Sequence, residues 1–136
     1  MRLVATRIVT RHVPTLARFY EEITGIAPVG CRDHYVEIET SRGILAICST
    51  ESVGLFNVGA AEPRANRSMI IEFEVDNVDL ERARLARIVD NFVMEPVNQP
   101  WGSRSMLFRD PDGNLINVFA AVDWCSKPMS RCGGCG

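Results

Sequence analysis

A chain of 136 residues, 46% hydrophobic and 24% charged, with a formal net charge of −2, is long enough for one domain with a real core. That balance carries no electrostatic footprint for nucleic acid or an anionic membrane surface. No apolar run approaches the roughly 20 residues of a spanning helix. The first ten residues hold Arg2 and Arg7 and no small-residue cleavage site, and five cysteines make an odd number, so a reducing cytoplasm is expected.

Residues 3–10 read as a strand and residues 14–23 as an amphipathic helix, with Pro14 in its first turn and Gly25 just past its end. Three short strands are predicted at 26–29, 34–39 and 44–49, with Arg42-Gly43 turning between the last two. Residues 50–67 hold Gly54, Gly59 and Pro63 and little periodicity, which reads as a linker. Its Leu55 and Phe56 are apolar enough to fold over a pocket; a surface connector with one anchoring aromatic is the plainer alternative. A second unit starts at 69–75, where Ile71, Phe73 and Val75 alternate with Ile70, Glu72 and Glu74. Asp76-Asn77 precedes a helix over 78–89, and strands are predicted at 93–97, 103–109 and 115–121. Pro presets one turn dihedral and Gly supplies a positive one, so Asp110-Pro111-Asp112-Gly113 reverses the chain. In the 123–136 tail, Cys125, Cys132 and Cys135 make an incomplete zinc set, and a flexible tail is expected.

The second unit repeats the first. Ala5 aligns with Ile70 at an offset of 65 (70 − 5), and Gly43 with Gly113 at 70 (113 − 43). Both halves then read βαβββ.

The stretch from Trp101 to Phe119 resembles the last hairpin of the vicinal oxygen chelate superfamily, which holds glyoxalases, extradiol dioxygenases, and fosfomycin- and bleomycin-resistance proteins. The resemblance covers about residues 3–121. It implies an α+β fold in which two βαβββ units, about 3–49 and 69–121, form one open barrel around a cavity in a single domain at 1–122. It also implies a homodimer. Metal-dependent members place His, Gln or Glu ligands at the start of each unit's first strand and in its last strand. The matching positions here are Ala5, Ile70, Asn117 and, for the fourth, Ile47. Ala and Ile cannot ligate, and an amide oxygen is a poor ligand alone. His12 and His34 have no second ligand at a useful spacing. Neither a metal nor another cofactor is expected.

In such a unit one strand face packs under the helices and the other lines the cavity, so alternation assigns the side chains. Val4, Ile8, Ile71, Phe73 and Val75 go under the helices. Ala5, Arg7, Val9, Ile70, Glu72, Glu74, Leu115, Asn117 and Phe119 face the cavity. Arg7 and Glu72 occupy equivalent places in the two repeats. A salt bridge across the cavity floor is one expectation, because charges taken from water must pair. In the other, Arg7 takes a ligand's carboxylate or carbonyl and Glu72 an amine or hydroxyl. Glu72 is also the candidate catalytic base, although an adjacent Arg lowers its basicity. Trp101, within Gln99-Pro100-Trp101-Gly102-Ser103-Arg104, resembles the aromatic that stacks on flat ligands in antibiotic-binding members; core packing is the alternative. Arg104 is expected to pair with Asp110 or Asp112.

The leading expectation is a metal-free protein that binds a small, partly planar organic molecule, such as an antibiotic to be sequestered. Arg7, Glu72 and Asn117 supply polar contacts, and Trp101, Phe119, Phe56 and Leu115 the apolar walls. The alternative is a glyoxalase-type lyase, isomerase or dioxygenase using a divalent metal or Glu72 as base. A third is a dimeric scaffold with a collapsed cavity.

Overall fold

An apolar series at helical spacing, Val13, Leu16, Ala17, Tyr20 and Ile23, makes the buried stripe of the first helix, α1 (Val13–Thr24). The His12 side chain caps its start by accepting the Thr15 N–H at 3.2 Å, and Gly25, at φ 73°, ends it by donating to the Glu21 carbonyl. The computed structural model describes residues 1–31 and 33–122. The tail expectation for Cys125, Cys132 and Cys135 lies outside them.

Around α1 stand β1 (Ala5–Thr10), β2 (Val29–Cys31), β3 (Tyr35–Glu39) and β4 (Ile44–Ser49), paired in the order β1-β4-β3-β2. β1 runs parallel to β4, and the other pairs are antiparallel. In register, Ile8, Ile47 and Val36 lie side by side, as do Leu45 and Ile38. Val36, Ile38, Leu45 and Ile47 are buried on the α1 side. Val4, expected under the helix, precedes β1 and is exposed. The second strand was expected at 26–29. It forms at Val29–Cys31, because Pro28 has no N–H to give the ladder and restricts Ala27. The linker opens with a one-turn helix, α2 (Thr50–Gly54), capped by the Ser49 side chain accepting the Ser52 N–H.

The turn Asp110–Gly113 groups with this first unit, Met1–Arg67. The buried Tyr20 hydroxyl donates to Asp110 Oδ2 at 2.6 Å. Asp110 Oδ1 accepts the Asp112 N–H at 2.9 Å, and Gly113 takes φ 88°.

The second unit repeats the pattern with β5 (Ile70–Glu74), α3 (Val78–Leu85), β6 (Phe92–Asn98), β7 (Ser103–Arg109) and β8 (Leu115–Ala121), ordered β5-β8-β7-β6. β5 is parallel to β8. Met106, Phe108, Ile116, Val118 and Ala120 form its buried face with Val78 and Leu85 of α3. Pro96 sits in the edge strand β6, where the register against β7 shifts twice, as a strand residue without an N–H requires. Each βαβββ unit thus contributes one four-stranded sheet.

α3 is shorter than the predicted 78–89. Only Val78 and Leu85 of it are buried, and the chain then turns, the Ile88 and Val89 N–H groups both donating to the Leu85 carbonyl. Its stability is local. The Asn77 side chain caps the Leu80 N–H at 3.0 Å, acidic Asp79 and Glu81 lie in the first turn, and basic Arg82 and Arg84 in the last. With so little burial behind it, this helix depends on its cap. Asn77→Ala is expected to lower stability by about 1 kcal/mol in urea titration; an unchanged midpoint would show the cap to be idle. Arg104 does not pair with Asp110 or Asp112. It takes Asp79 through Nε at 2.9 Å and Nη2 at 3.0 Å, because its strand position pairs with Ala120 on the helix side of the sheet.

Candidate functional site

The cross-strand register fixes which residues share each sheet's open face. In the first unit, Arg7 of β1, Ala46 of β4 and Glu37 of β3 form one row. Val9, Cys48 and Tyr35 form the next. In the second unit, Glu72 of β5 pairs with Asn117 of β8, and Asn117 with Leu107 of β7. Glu74 pairs with Phe119, and Ile70 with Leu115. Arg7, Glu72, Leu115, Asn117 and Phe119 thus lie on the faces assigned to them from sequence.

Ile47 does not. It pairs with Ile8 and Val36 on the helix side and is fully buried. The open-face counterpart of Asn117 is Ala46, since Ala46 pairs with Arg7 as Asn117 pairs with Glu72. The fourth position of the metal set is therefore Ala46.

Arg7 is held by neutral groups within its unit. Its guanidinium carbon lies 5.0 Å from the Tyr35 ring centroid and 5.4 Å from that of Phe56. Phe56 thus comes from the linker onto this face, although both it and its neighbour Leu55 stay largely exposed. The Tyr35 hydroxyl donates to Glu37 Oε2 at 2.7 Å. That hydrogen bond raises the Tyr35 pKa, with smaller contributions from burial and the Glu37 charge, while Arg7 pulls it down. Burial raises the Cys48 thiol pKa and outweighs the opposing pull of Arg7. Tyr35 was not among the site residues expected from sequence, and Cys48 entered only as a possible fourth metal ligand for the tail cysteines. The alternation of Tyr35, Glu37 and Glu39 against Val36 and Ile38 was the signal that could have found Tyr35.

In the second unit the Asn117 side-chain N–H donates to Glu72 Oε1 at 2.8 Å, and Asn117 Oδ1 is buried with no hydrogen-bond partner. Trp101 is 47% exposed, so it is not a core residue. Its indole N–H donates to Ser103 Oγ at 2.9 Å, and the adjacent Gly102 takes φ 103°. His12 is a helix cap, and His34 is exposed.

These residues do not fit the superfamily's metal. Ala5, Ala46 and Ile70 carry no side-chain donor atom for a metal, and Asn117 offers a single amide oxygen, a poor ligand alone. Among the described residues no group of three or more His, Cys, Asp or Glu is placed to hold a metal ion.

A separate cleft of about 600 Å³ lies on the helix side of the first unit, bounded by His12, Arg18 and Glu21 of the α1 region and by Pro28, Gly30 and Val36. None of the ligand residues expected from sequence lines it. No helix of the described residues is long and apolar enough to cross a membrane.

Comparison with known proteins bears on the whole arrangement. A glyoxalase/bleomycin resistance protein/dioxygenase family enzyme from Burkholderia phytofirmans PsJN superposes with a TM-score of 0.79 at 15% identity, covering 90% of this chain and 100% of that one. A protein of unknown function from Agrobacterium tumefaciens str. C58 gives 0.75 at 27% identity, covering 90% and 95%. A lactoylglutathione lyase from Agrobacterium tumefaciens gives 0.66 at 21%, covering 88% and 92%. No curated protein matches. The family model of the Glyoxalase/Bleomycin resistance protein/Dioxygenase superfamily matches residues 2–118, and to that superfamily the chain belongs.

Proposed function

We propose that the chain is a metal-independent binding protein that sequesters a small, partly planar organic molecule, an antibiotic being one such compound, and that it works as a cytoplasmic homodimer. The observation that carries this reading is the donor chemistry at the superfamily's metal positions, where Ala5, Ala46 and Ile70 stand. Beside them the first unit offers Arg7 and Phe56 to a ligand. The second offers Glu72 and Asn117 for polar contact and Leu115, Phe119 and the half-exposed Trp101 for apolar contact.

Elemental analysis of the purified protein tests the first half of the proposal. The expected result is no stoichiometric divalent metal, and a melting temperature that a chelator leaves unchanged. A stoichiometric metal overturns the reading in favour of a glyoxalase-type lyase, isomerase or dioxygenase. The second half is tested by titrating planar organic compounds against intrinsic tryptophan fluorescence and thermal stability. Quenching that disappears in Trp101→Phe, with a raised melting temperature, is the expected outcome.

A further inference from the structure

The side chain of Arg7 starts on β1, yet its guanidinium lies over a ring on β3, and β4 runs between those strands. Two inter-strand spacings are roughly 10 Å, so the Arg7 and Tyr35 side chains meet above β4, where Arg7 also acts on the Cys48 thiol. The open-face residues of β4 there are Ala46 and Cys48, both small. A leucine at either place would block the path. The small residues there leave room for the Arg7 side chain to reach Tyr35.

What the guanidinium meets there is neutral. Its neighbours within the unit are the rings of Tyr35 and Phe56, the Tyr35 hydroxyl and the Cys48 thiol, which burial keeps protonated. Glu37 lies in the same row, two strands away, and already accepts the Tyr35 hydroxyl. Ring faces attract a cation without using its N–H groups, and the hydrogen bonds of Arg7 to the Tyr35 hydroxyl and the Cys48 thiol occupy only part of its five-donor fork, leaving the rest for an oxygen acceptor. Phe56 is 73% exposed, so much of its surface is open.

We infer that this face binds the charged end of the ligand, and that the ligand is a planar monoanion of the aromatic carboxylate class. This inference rests on the binding reading proposed above. The carboxylate takes two N–H groups of Arg7, and the ring of the ligand packs on Phe56. Tyr35 and Phe56 hold the fork in position. Glu37 sets the charge limit: its negative charge on the same row disfavours a dianion such as a phosphate ester.

Calorimetric titration of the full chain with naphthoate, naphthamide and naphthyl phosphate reads the inference directly. Naphthoate is expected to bind about 10- to 100-fold more tightly than naphthamide, the worth of a charge-assisted hydrogen bond, and more tightly than naphthyl phosphate. Arg7→Gln is expected to make acid and amide equal. Arg7→Lys keeps the charge but not the fork, so it retains part of the preference. Phe56→Ala weakens acid and amide alike. If the wild type binds the amide as well as the acid, the binding reading stands and the anion inference falls. If phosphate binds best, the monoanion limit falls. If none of the three binds at millimolar concentration, both the inference and the binding reading fall.

Discussion

Tyr20→Phe is expected to destabilise the protein by about 1–3 kcal/mol, measured by urea unfolding at neutral pH. The substitution keeps the ring that fills the α1 side of the core and its edge-to-face contact with Phe19, whose centroid is 5.4 Å away. It removes one hydroxyl. That hydroxyl is buried and donates to Asp110 Oδ2 at 2.6 Å, so the variant strips a buried carboxylate oxygen of this donor. Asp110 Oδ1 orders the turn through the Asp112 N–H, and the loss therefore reaches the Asp110–Gly113 reversal. A change below roughly 0.5 kcal/mol would mean that the hydroxyl contributes nothing net to the turn's anchorage.

The same residue sets an alkaline limit. Burial raises the Tyr20 pKa well above its ordinary value of 10.0, and the Asp110 charge, the Asp110 hydrogen bond and the Asp112 charge raise it further. The folded pKa thus exceeds the unfolded one. Stability from the neutral phenol is fully present below pH 10 and is lost as pH rises through the folded pKa. The wild type should lose stability steeply above pH 10, and Tyr20→Phe should flatten that slope. Tyr35 and Cys48 also have raised pKa values, so part of the alkaline loss persists in the variant.

The duplication was legible because two periodicities do not depend on tertiary context. The 3.6-residue stripe of α1 and the two-residue alternation of β5 and β8 are written in the residue types themselves. What was lost was register. Four residues, 40–43, separate Glu39 from Ile44, whereas five, 110–114, separate Arg109 from Leu115. Anchoring the repeats on Gly43 and Gly113 hides that extra residue. The offset between paired last strands is 71 (117 − 46), not 70. One residue of slip exchanges the two faces of a strand, which is how Ile47 took the place of Ala46. Arg104 was misplaced for a different reason. Its partner Asp79 comes from the first turn of α3, and a helix-to-strand ion pair leaves no periodic trace. The meeting of Arg7 and Tyr35 over β4 was equally hidden, because two small residues at alternate positions look like ordinary core until the register is known.

Ile47 and Ala46 therefore make the sharpest test of the fold and the site together. They are neighbours in β4, both fully buried, and they point to opposite faces. Ile47→Ala empties space between the sheet and α1 and is expected to cost about 2–5 kcal/mol in urea unfolding. Binding by the molecules that remain folded should be unchanged, because nothing on the Arg7 face has moved. Ala46→Leu does the reverse. Overpacking costs about 1–3 kcal/mol, but the added branches stand where Arg7 and Tyr35 meet above β4, so the guanidinium is driven off Tyr35. Its preference for naphthoate over naphthamide should vanish, as in Arg7→Gln. Were Ile47→Ala to abolish that preference while Ala46→Leu left it intact, β4 would have to be turned over, and the row Arg7-Ala46-Glu37 would lose its geometric basis. A shared loss of stability with intact selectivity in both variants would keep the register and discard the meeting over β4.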